Sequence, residues 1–302
     1  MIRPMTIEAR RVARVDFTAT DLARARRFYE ALGFSALATA AVDPAELALL
    51  GLPNARGERL TMALGAQEVS FVAFDPPGRP YPADSTSTDL WFQHIAVVVS
   101  DMAEAHGRAL AAGARPITRG GPQTLPANTG GVTAFKFRDP DGHPLELLFF
   151  PAGTGAESWH ARDVTSPFLG IDHTAVAVGH ADRSRAFFEG LGLTAAEGTH
   201  NHGVEQERLD DVADDRCRVV PMRPPAKPPH VELLGYEVGT RRPMPADTRA
   251  DDVWATRVWI EVATLSGDHV TRAAALPGGA RAALLSDPDG HMVVVFEAGG
   301  AA

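Results

Sequence analysis

The segment Arg79-Pro-Tyr-Pro-Ala-Asp-Ser-Thr-Ser-Thr-Asp-Leu-Trp91 returns as Arg242-Pro-Met-Pro-Ala-Asp-Thr-Arg-Ala-Asp-Asp-Val-Trp254, a shift of 163 positions (242 − 79). Nearer the start of each half, Arg26-Arg-Phe-Tyr-Glu-Ala-Leu-Gly-Phe34 matches Arg185-Ala-Phe-Phe-Glu-Gly-Leu-Gly-Leu193 at a shift of 159 (185 − 26). Two halves with one pattern restrict the fold to a duplicated unit. The 302 residues suit two domains of about 150 residues each.

Each half divides again, because a strand followed by a helix and further strands occurs twice within it. Val15 to Thr20 alternates like a strand, Asp21 can cap the following helix and Gly33 can stop it. The second quarter repeats this with His94 to Ser100, Asp101, a helix to about Ala112, and Gly113. The third runs from His173 through a helix ending near Gly192; the fourth has Arg257 to Thr264, a helix from about Asp268, and Gly278. Arg138-Asp-Pro-Asp-Gly-His143 and Ser286-Asp-Pro-Asp-Gly-His291 read as turns into closing strands. The fourth quarter is short: Ala114 to Asp139 spans 25 positions, Ala280 to Asp287 only 7, so it should make a poorer pocket wall.

Four polar residues stand inside these apolar runs. His94 and His173 each open a β-type run, and Glu146 and Glu232 lie within Leu145-Glu-Leu-Leu-Phe-Phe150 and Val231-Glu-Leu-Leu234. A carboxylate among aliphatic residues on a strand needs a partner, either a metal or an arginine.

The net charge of −9 argues against nucleic acid and offers no basic stripe to a membrane, so the expected partner is a small molecule. Cys217 is the only cysteine, which excludes an internal disulfide and a thiolate cluster and fits a reducing cytoplasm. Neither a signal peptide nor a run of membrane-spanning length is seen, so a cytoplasmic monomer or homodimer is expected.

Four βαβββ quarters, helices ending in Phe-Tyr-Glu-Ala-Leu-Gly-Phe34 or its like, and Asp-Pro-Asp-Gly-His143 before a Leu-Glu-Leu strand resemble the vicinal oxygen chelate superfamily of glyoxalases, extradiol dioxygenases, epimerases and bleomycin-resistance-type binders. The resemblance implies an α+β fold of four βαβββ modules in two tandem domains, with cup-shaped mixed sheets and helices outside. The domains would be 1–150 (modules about 12–78 and 91–150) and 169–302 (modules about 169–240 and 254–298), joined by a linker at 151–168. It also implies metal ligands on the first and last strand of each module. Aligned on the helix starts, the first-strand position holds Arg14, His94, His173 and Arg257; the last-strand position holds Ser70 (or Glu68), Glu146, Glu232 and Val294.

Two pairings of modules are open, and linkers of about 15 to 18 residues, reaching about 50 to 60 Å, permit both. Consecutive pairing sets Arg14 near Glu146 and Arg257 near Glu232, as ion pairs without metal. Pairing second with third gathers His94, Glu146, His173 and Glu232 into one site for a single Zn, Ni, Co, Mn or Fe ion, and leaves Arg14 and Arg257 together in the other cup. The first expectation for function is a glyoxalase-like lyase or isomerase acting on vicinal oxygens through a metal-stabilised enediolate, with Glu146 or Glu232 as base. An Fe(II) ring-cleaving dioxygenase and a metal-free drug-binding protein are the alternatives. Weaker substrate-contact candidates are His200, His202, Arg14 and Arg257. His143 and His291 read as turn residues, His106, His160, His180 and His269 as exposed helix or linker positions, and Trp91 and Trp254 as structural anchors; His230 has no evident place.

Overall fold

The protein is described from a computed structural model that covers residues 7–160, 165–226, 228–265 and 273–299. The first module consists of β1 (Ala9–Thr18), α1 (Leu22–Ala31), β2 (Ser35–Ala41), α2 (Pro44–Leu49), β3 (Arg56–Leu64) and β4 (Gln67–Asp75). The second has β5 (Gln93–Val99), α3 (Met102–Ala111), β6 (Arg115–Pro116), β7 (Gln123–Thr124), β8 (Thr133–Arg138) and β9 (Pro144–Phe149). The third has β10 (Phe168–Ala177), α4 (Ala181–Gly190), β11 (Thr194–Ala195), β12 (Thr199–His202), α5 (Val204–Asp210), β13 (Arg216–Arg223) and β14 (His230–Tyr236). The fourth contributes β15 (Arg257–Val262), β16 (Ala274–Ala275), β17 (Arg281–Ser286) and β18 (Met292–Glu297). The helix expected from Asp268, and His269 with it, lies outside the described residues. Local chemistry starts and stops the helices as anticipated. Asp21 and Asp101 accept the backbone N–H groups of Arg24 and Glu104, and Gly33 and Gly113 follow at φ of 81° and 95°.

The modules assemble across the halves. An eight-stranded sheet runs β16-β17-β18-β15-β1-β4-β3-β2, and a ten-stranded sheet follows β11-β13-β14-β10-β5-β9-β8-β6, with β12 beside β13 and β7 beside β8. The first module therefore pairs with the fourth, and the second with the third. In the larger sheet β5 runs antiparallel to β10, so that His94 faces Ala175 and His173 faces Ala96. The smaller sheet repeats this register, with Arg257 opposite Asp16 and Arg14 opposite Trp259.

Alternation along the strands gives each sheet two different faces. One face is apolar: Val15, Phe17, Phe71, Ile95, Val97, Leu145 and Leu147 join α1 and α3 in one core, and Val176, Val231, Leu233, Val258, Ile260 and Val295 join α4 in a second. The opposite, concave faces carry the polar positions. Over the smaller sheet α2 fills the concavity, where Leu49 packs with Trp259, Val294 and Phe296. Over the larger one, α5 lies against β7, β8 and β12 and leaves a cavity of about 530 Å³. No helix among the described residues is long and apolar enough to cross a membrane.

The repeated Arg-Pro-x-Pro-Ala-Asp segments are a reciprocal clasp. Arg79 bonds Asp252 through Nε and Nη2 at 2.9 and 2.6 Å and Asp247 at 3.0 Å; Arg242 bonds Asp89 twice at 2.7 Å and Asp84 at 2.7 Å. Each guanidinium also covers the other copy's indole, Arg79 over Trp254 at 4.7 Å and Arg242 over Trp91 at 4.9 Å. Trp91 and Trp254 are buried anchors of the joints between modules.

Candidate metal centre

His94 and His173 project into the concave face from the two central strands, and Glu146 and Glu232 reach them from the flanking parallel strands β9 and β14. The registers Ala96 to Glu146 and Ala175 to Glu232 set each glutamate beside the residue two places past its module's histidine, on the same face. His94 Nε2 lies 3.3 Å from Glu146 Oε2, and His173 Nε2 lies 3.6 Å from that oxygen and 3.5 Å from Glu232 Oε2. The compact group, with ligand atoms all within 4.8 Å of one another, is His94, Glu146 and His173; Glu232 joins it through His173.

Two further residues complete the cluster. Asp172 Oδ2 accepts a hydrogen bond from His173 Nδ1 at 3.0 Å, and its Oδ1 accepts one from Trp159 Nε1 at 3.1 Å. His230 Nε2 donates to Glu232 Oε1 at 3.1 Å, and its other nitrogen faces Asp172 at 3.9 Å. His230, unassigned from sequence, belongs to this site. Asp172 could have been suspected from its place beside His173, because a carboxylate that fixes the outer nitrogen of a ligating imidazole is a recurrent arrangement.

The electrostatics fit a cation. Burial disfavours charge on Glu146, but the nearby His173 and His94 rings and the Lys136 ammonium outweigh it and hold the carboxyl well below the usual range. Burial likewise works against Asp172 and Glu232, yet His173 and His230 bring Asp172 down to about 2 and Glu232 below its ordinary value. Burial opposes a proton on His173, and Glu232, Asp172 and Glu146 together raise its pKa well above the usual value. Burial keeps His94 neutral by lowering its pKa. This residue is 1% exposed, and among the described residues neither ring nitrogen has a well-directed hydrogen-bond partner, despite the 3.3 Å approach to Glu146. An orphaned buried imidazole beside three carboxylates that converge on a second one is a donor set suited to a divalent ion.

The remaining candidates lie elsewhere. Arg14 and Arg257 are in the smaller sheet's cup and do not line this cavity. Arg14 has a carboxylate partner there, whereas Arg257 is bound by neutral oxygens. Asp16 binds Arg14 at 2.8 Å and Arg59 at 3.3 Å, Glu46 pairs with Arg59, and Arg257 donates to Thr18 Oγ1, Ala250 O and Ala255 O at 2.7 to 2.9 Å. The metal-free pairing of arginines with Glu146 and Glu232 does not occur. On β12, Thr199 and Asn201 line the cavity, whereas His200 and His202 are exposed and His200 pairs with Glu237 at 3.1 Å. His143 and His291 do follow turn glycines, but they are buried and bound to Asp139 and Asp287. His106, expected to be exposed, is half-buried with its ring 4.5 Å from that of Phe135.

Residues 11–147 match the model of the Glyoxalase/Bleomycin resistance protein/Dioxygenase superfamily. The match spans 137 of the 302 residues (147 − 11 + 1), within the first half, and the second half repeats the motifs of the first. Solved structures extend the likeness over both halves. Glyoxalase I from Zea mays is 18% identical over 95% of this chain and 92% of its own, with a TM-score of 0.60. A candidate dioxygenase from Bacillus subtilis is 14% identical over 96% of this chain and 86% of its own, with a TM-score of 0.57. At such identities the likeness is one of fold. No curated protein sequence matches the chain.

Proposed function

We propose that the cup of the larger sheet holds one divalent metal ion and catalyses proton transfer on a small substrate with adjacent oxygen atoms, as a glyoxalase-like lyase or isomerase. The observation that carries this reading is the position of Glu232, a carboxylate beside the compact group rather than within it. Its side chain keeps 18% of its surface exposed. His94, His173 and Glu146 would hold the ion, with Asp172 fixing the His173 ring. A divalent ion there supplies Lewis acidity to two neighbouring substrate oxygens. Glu232 takes the proton from the carbon beside a substrate carbonyl and returns it to the neighbouring atom. His230, donating to Oε1, keeps that carboxylate oriented with Oε2 turned to the reacting carbon. The apolar wall of Leu125, Val132, Leu148, Leu209 and Val219 lowers the polarity around the reacting carbon, while the partly exposed Glu232 can exchange its proton with solvent.

The test is turnover in D₂O with 2-oxo aldehydes and hydroxyketones, using protein loaded with one metal at a time. Glu232→Gln should lower kcat by about 10²- to 10⁴-fold with little change in substrate binding, and the wild type should incorporate deuterium at carbon without consuming oxygen. One feature favours a second reading. Two histidines and one carboxylate in a compact group are also the ligand set of Fe(II) oxygenases. Stoichiometric oxygen uptake with ring opening of a catechol by the Fe²⁺-loaded protein would replace the isomerase reading with that one.

A further inference from the structure

Lys136 is a lysine where a cup of aliphatic side chains would ordinarily have another aliphatic residue. It is 4% exposed, lies on β8 directly across from Glu146 on β9, and lines the same cavity as His94 and Glu146. A buried ammonium needs a counter-charge, and α5 delivers it. Asp210, at the last turn of that helix, accepts from Lys136 Nζ, while its other oxygen is held by Gln206 Nε2 at 2.6 Å and by the Tyr236 hydroxyl at 3.1 Å. Asp210 is therefore held through both carboxylate oxygens. An ammonium has three N–H donors, and among the described residues Asp210 is the only hydrogen-bond partner of Nζ. The remaining donors have the cavity as their outlet, beside the position a metal-chelated substrate would occupy.

We infer that Lys136, fixed by Asp210, binds a third oxygen of the substrate next to the pair chelated by the metal, and that this oxygen is uncharged. The inference rests on the proposed metal site and adds a substrate class to it: a compact, otherwise apolar molecule with oxygens on three neighbouring carbons. The size is set by the cavity of about 530 Å³ and its aliphatic walls. The charge follows from the groups around it. Glu146, Glu232, Asp172, Asp210 and Glu197 contribute −5, Lys136 and Arg223 contribute +2 and a divalent ion +2, leaving −1 before substrate enters. A carboxylate as the third group would add to that negative charge, whereas a hydroxyl or carbonyl oxygen accepts from Nζ without doing so. Asp215, buried beside Asp210, does not alter the sum, because burial and the Asp210 charge raise its pKa and favour its neutral form.

The experiment is calorimetric titration of the Zn²⁺-loaded protein, without oxygen, with catechol, with pyrogallol as the three-oxygen probe, and with 2,3-dihydroxybenzoate as its charged counterpart. The wild type should bind pyrogallol about tenfold or more tightly than catechol, the gain of one charge-assisted hydrogen bond, and 2,3-dihydroxybenzoate less tightly than pyrogallol. Lys136→Met should abolish the preference while keeping the zinc content and the affinity for catechol. Because Lys136→Met leaves Asp210 buried without its counter-charge, the double variant Lys136→Met/Asp210→Asn provides the same comparison with no lone charge to disturb folding. A preference that survives in either variant, or tighter binding of 2,3-dihydroxybenzoate than of pyrogallol, would overturn the inference. Zinc-loaded wild type that binds none of the three probes would overturn the proposed function along with it, and that outcome differs from catechol binding without discrimination.

Discussion

His143 has both ring nitrogens against acceptors, Asp139 Oδ2 at 2.9 Å and the Val253 carbonyl at 2.9 Å, so it sits in the protein as an imidazolium that ties the second module's turn to the start of the fourth module. Burial opposes that charge, but Asp139 outweighs it and raises the histidine's pKa. The stabilisation is then complete below the unfolded value near 6.5 and is lost as pH climbs through the raised one. Burial also opposes ionisation of Asp139, and His143 lowers its pKa, so its share is present above about 3.9 and fades as acid protonates it. His143→Gln should cost about 2 kcal/mol near pH 6 and less at pH 9, as urea unfolding at the two values would show; an equal loss at both would mean the ring is neutral. His173 obeys the same physics with a different consequence. The proton held there by Glu232, Asp172 and Glu146 must leave before a metal can bind, so metal affinity should fall as pH falls, with proton release on binding measurable by titration in buffers of different ionisation enthalpy. His94, His173, Glu146 and Glu232 were legible as single residues because a polar group inside an aliphatic run is conspicuous. Asp172 was signalled only by its place beside His173, and His230 and Lys136 were not legible, since their roles arise from neighbours on other strands or on α5 that no spacing along the chain reveals.

Among the elements, α2 and α5 explain why the two cups differ. Both are short helices laid over a concave face, but α2 closes its cup with Leu47, Leu49 and the Glu46–Arg59 pair, while α5 brings Gln206 and Asp210 to the edge of an open cavity. The strands and the longer helices were readable from alternation, Asp caps and glycine stops. These two short helices were not, because a single turn or two carries too little periodicity to distinguish a helix from a loop. The clasp between modules was visible only as a repeat. Its meaning required the fold, in which each arginine binds the aspartates of the other copy. Asp89 and Asp252 are 0% and 1% exposed on their side chains and each receives two bonds from its arginine. Arg242→Ala and Arg79→Ala should each destabilise by about 1 to 3 kcal/mol, less than a fully buried pair because the guanidiniums are partly exposed. Thermal unfolding of the two single variants should give similar losses; a loss confined to one of them would show that the clasp is not reciprocal in its energetics.

For the whole molecule, the decisive feature is which modules share a sheet. Chain length left both pairings open, and what distinguished them beforehand was chemical: only one gathers two imidazoles and two carboxylates. The sheet order adopts that pairing, placing β5 against β10 and β1 against β15. The same arrangement puts Arg14, Arg257 and Asp16 in the other cup, where Asp16 pairs with Arg14 and neutral oxygens bind Arg257, so Arg14→Ala should leave metal content unchanged. The central claim is that one metal site is built jointly by the two halves of the chain. Metal content per chain after loading and dialysis, compared for wild type, His94→Ala and His173→Ala, tests it most directly. The structure predicts one ion in the wild type and loss of that same ion in each variant, although the two histidines stand 79 positions apart (173 − 94) in different halves. Two ions in the wild type, none at all, or one retained at full affinity when either histidine is removed would contradict it.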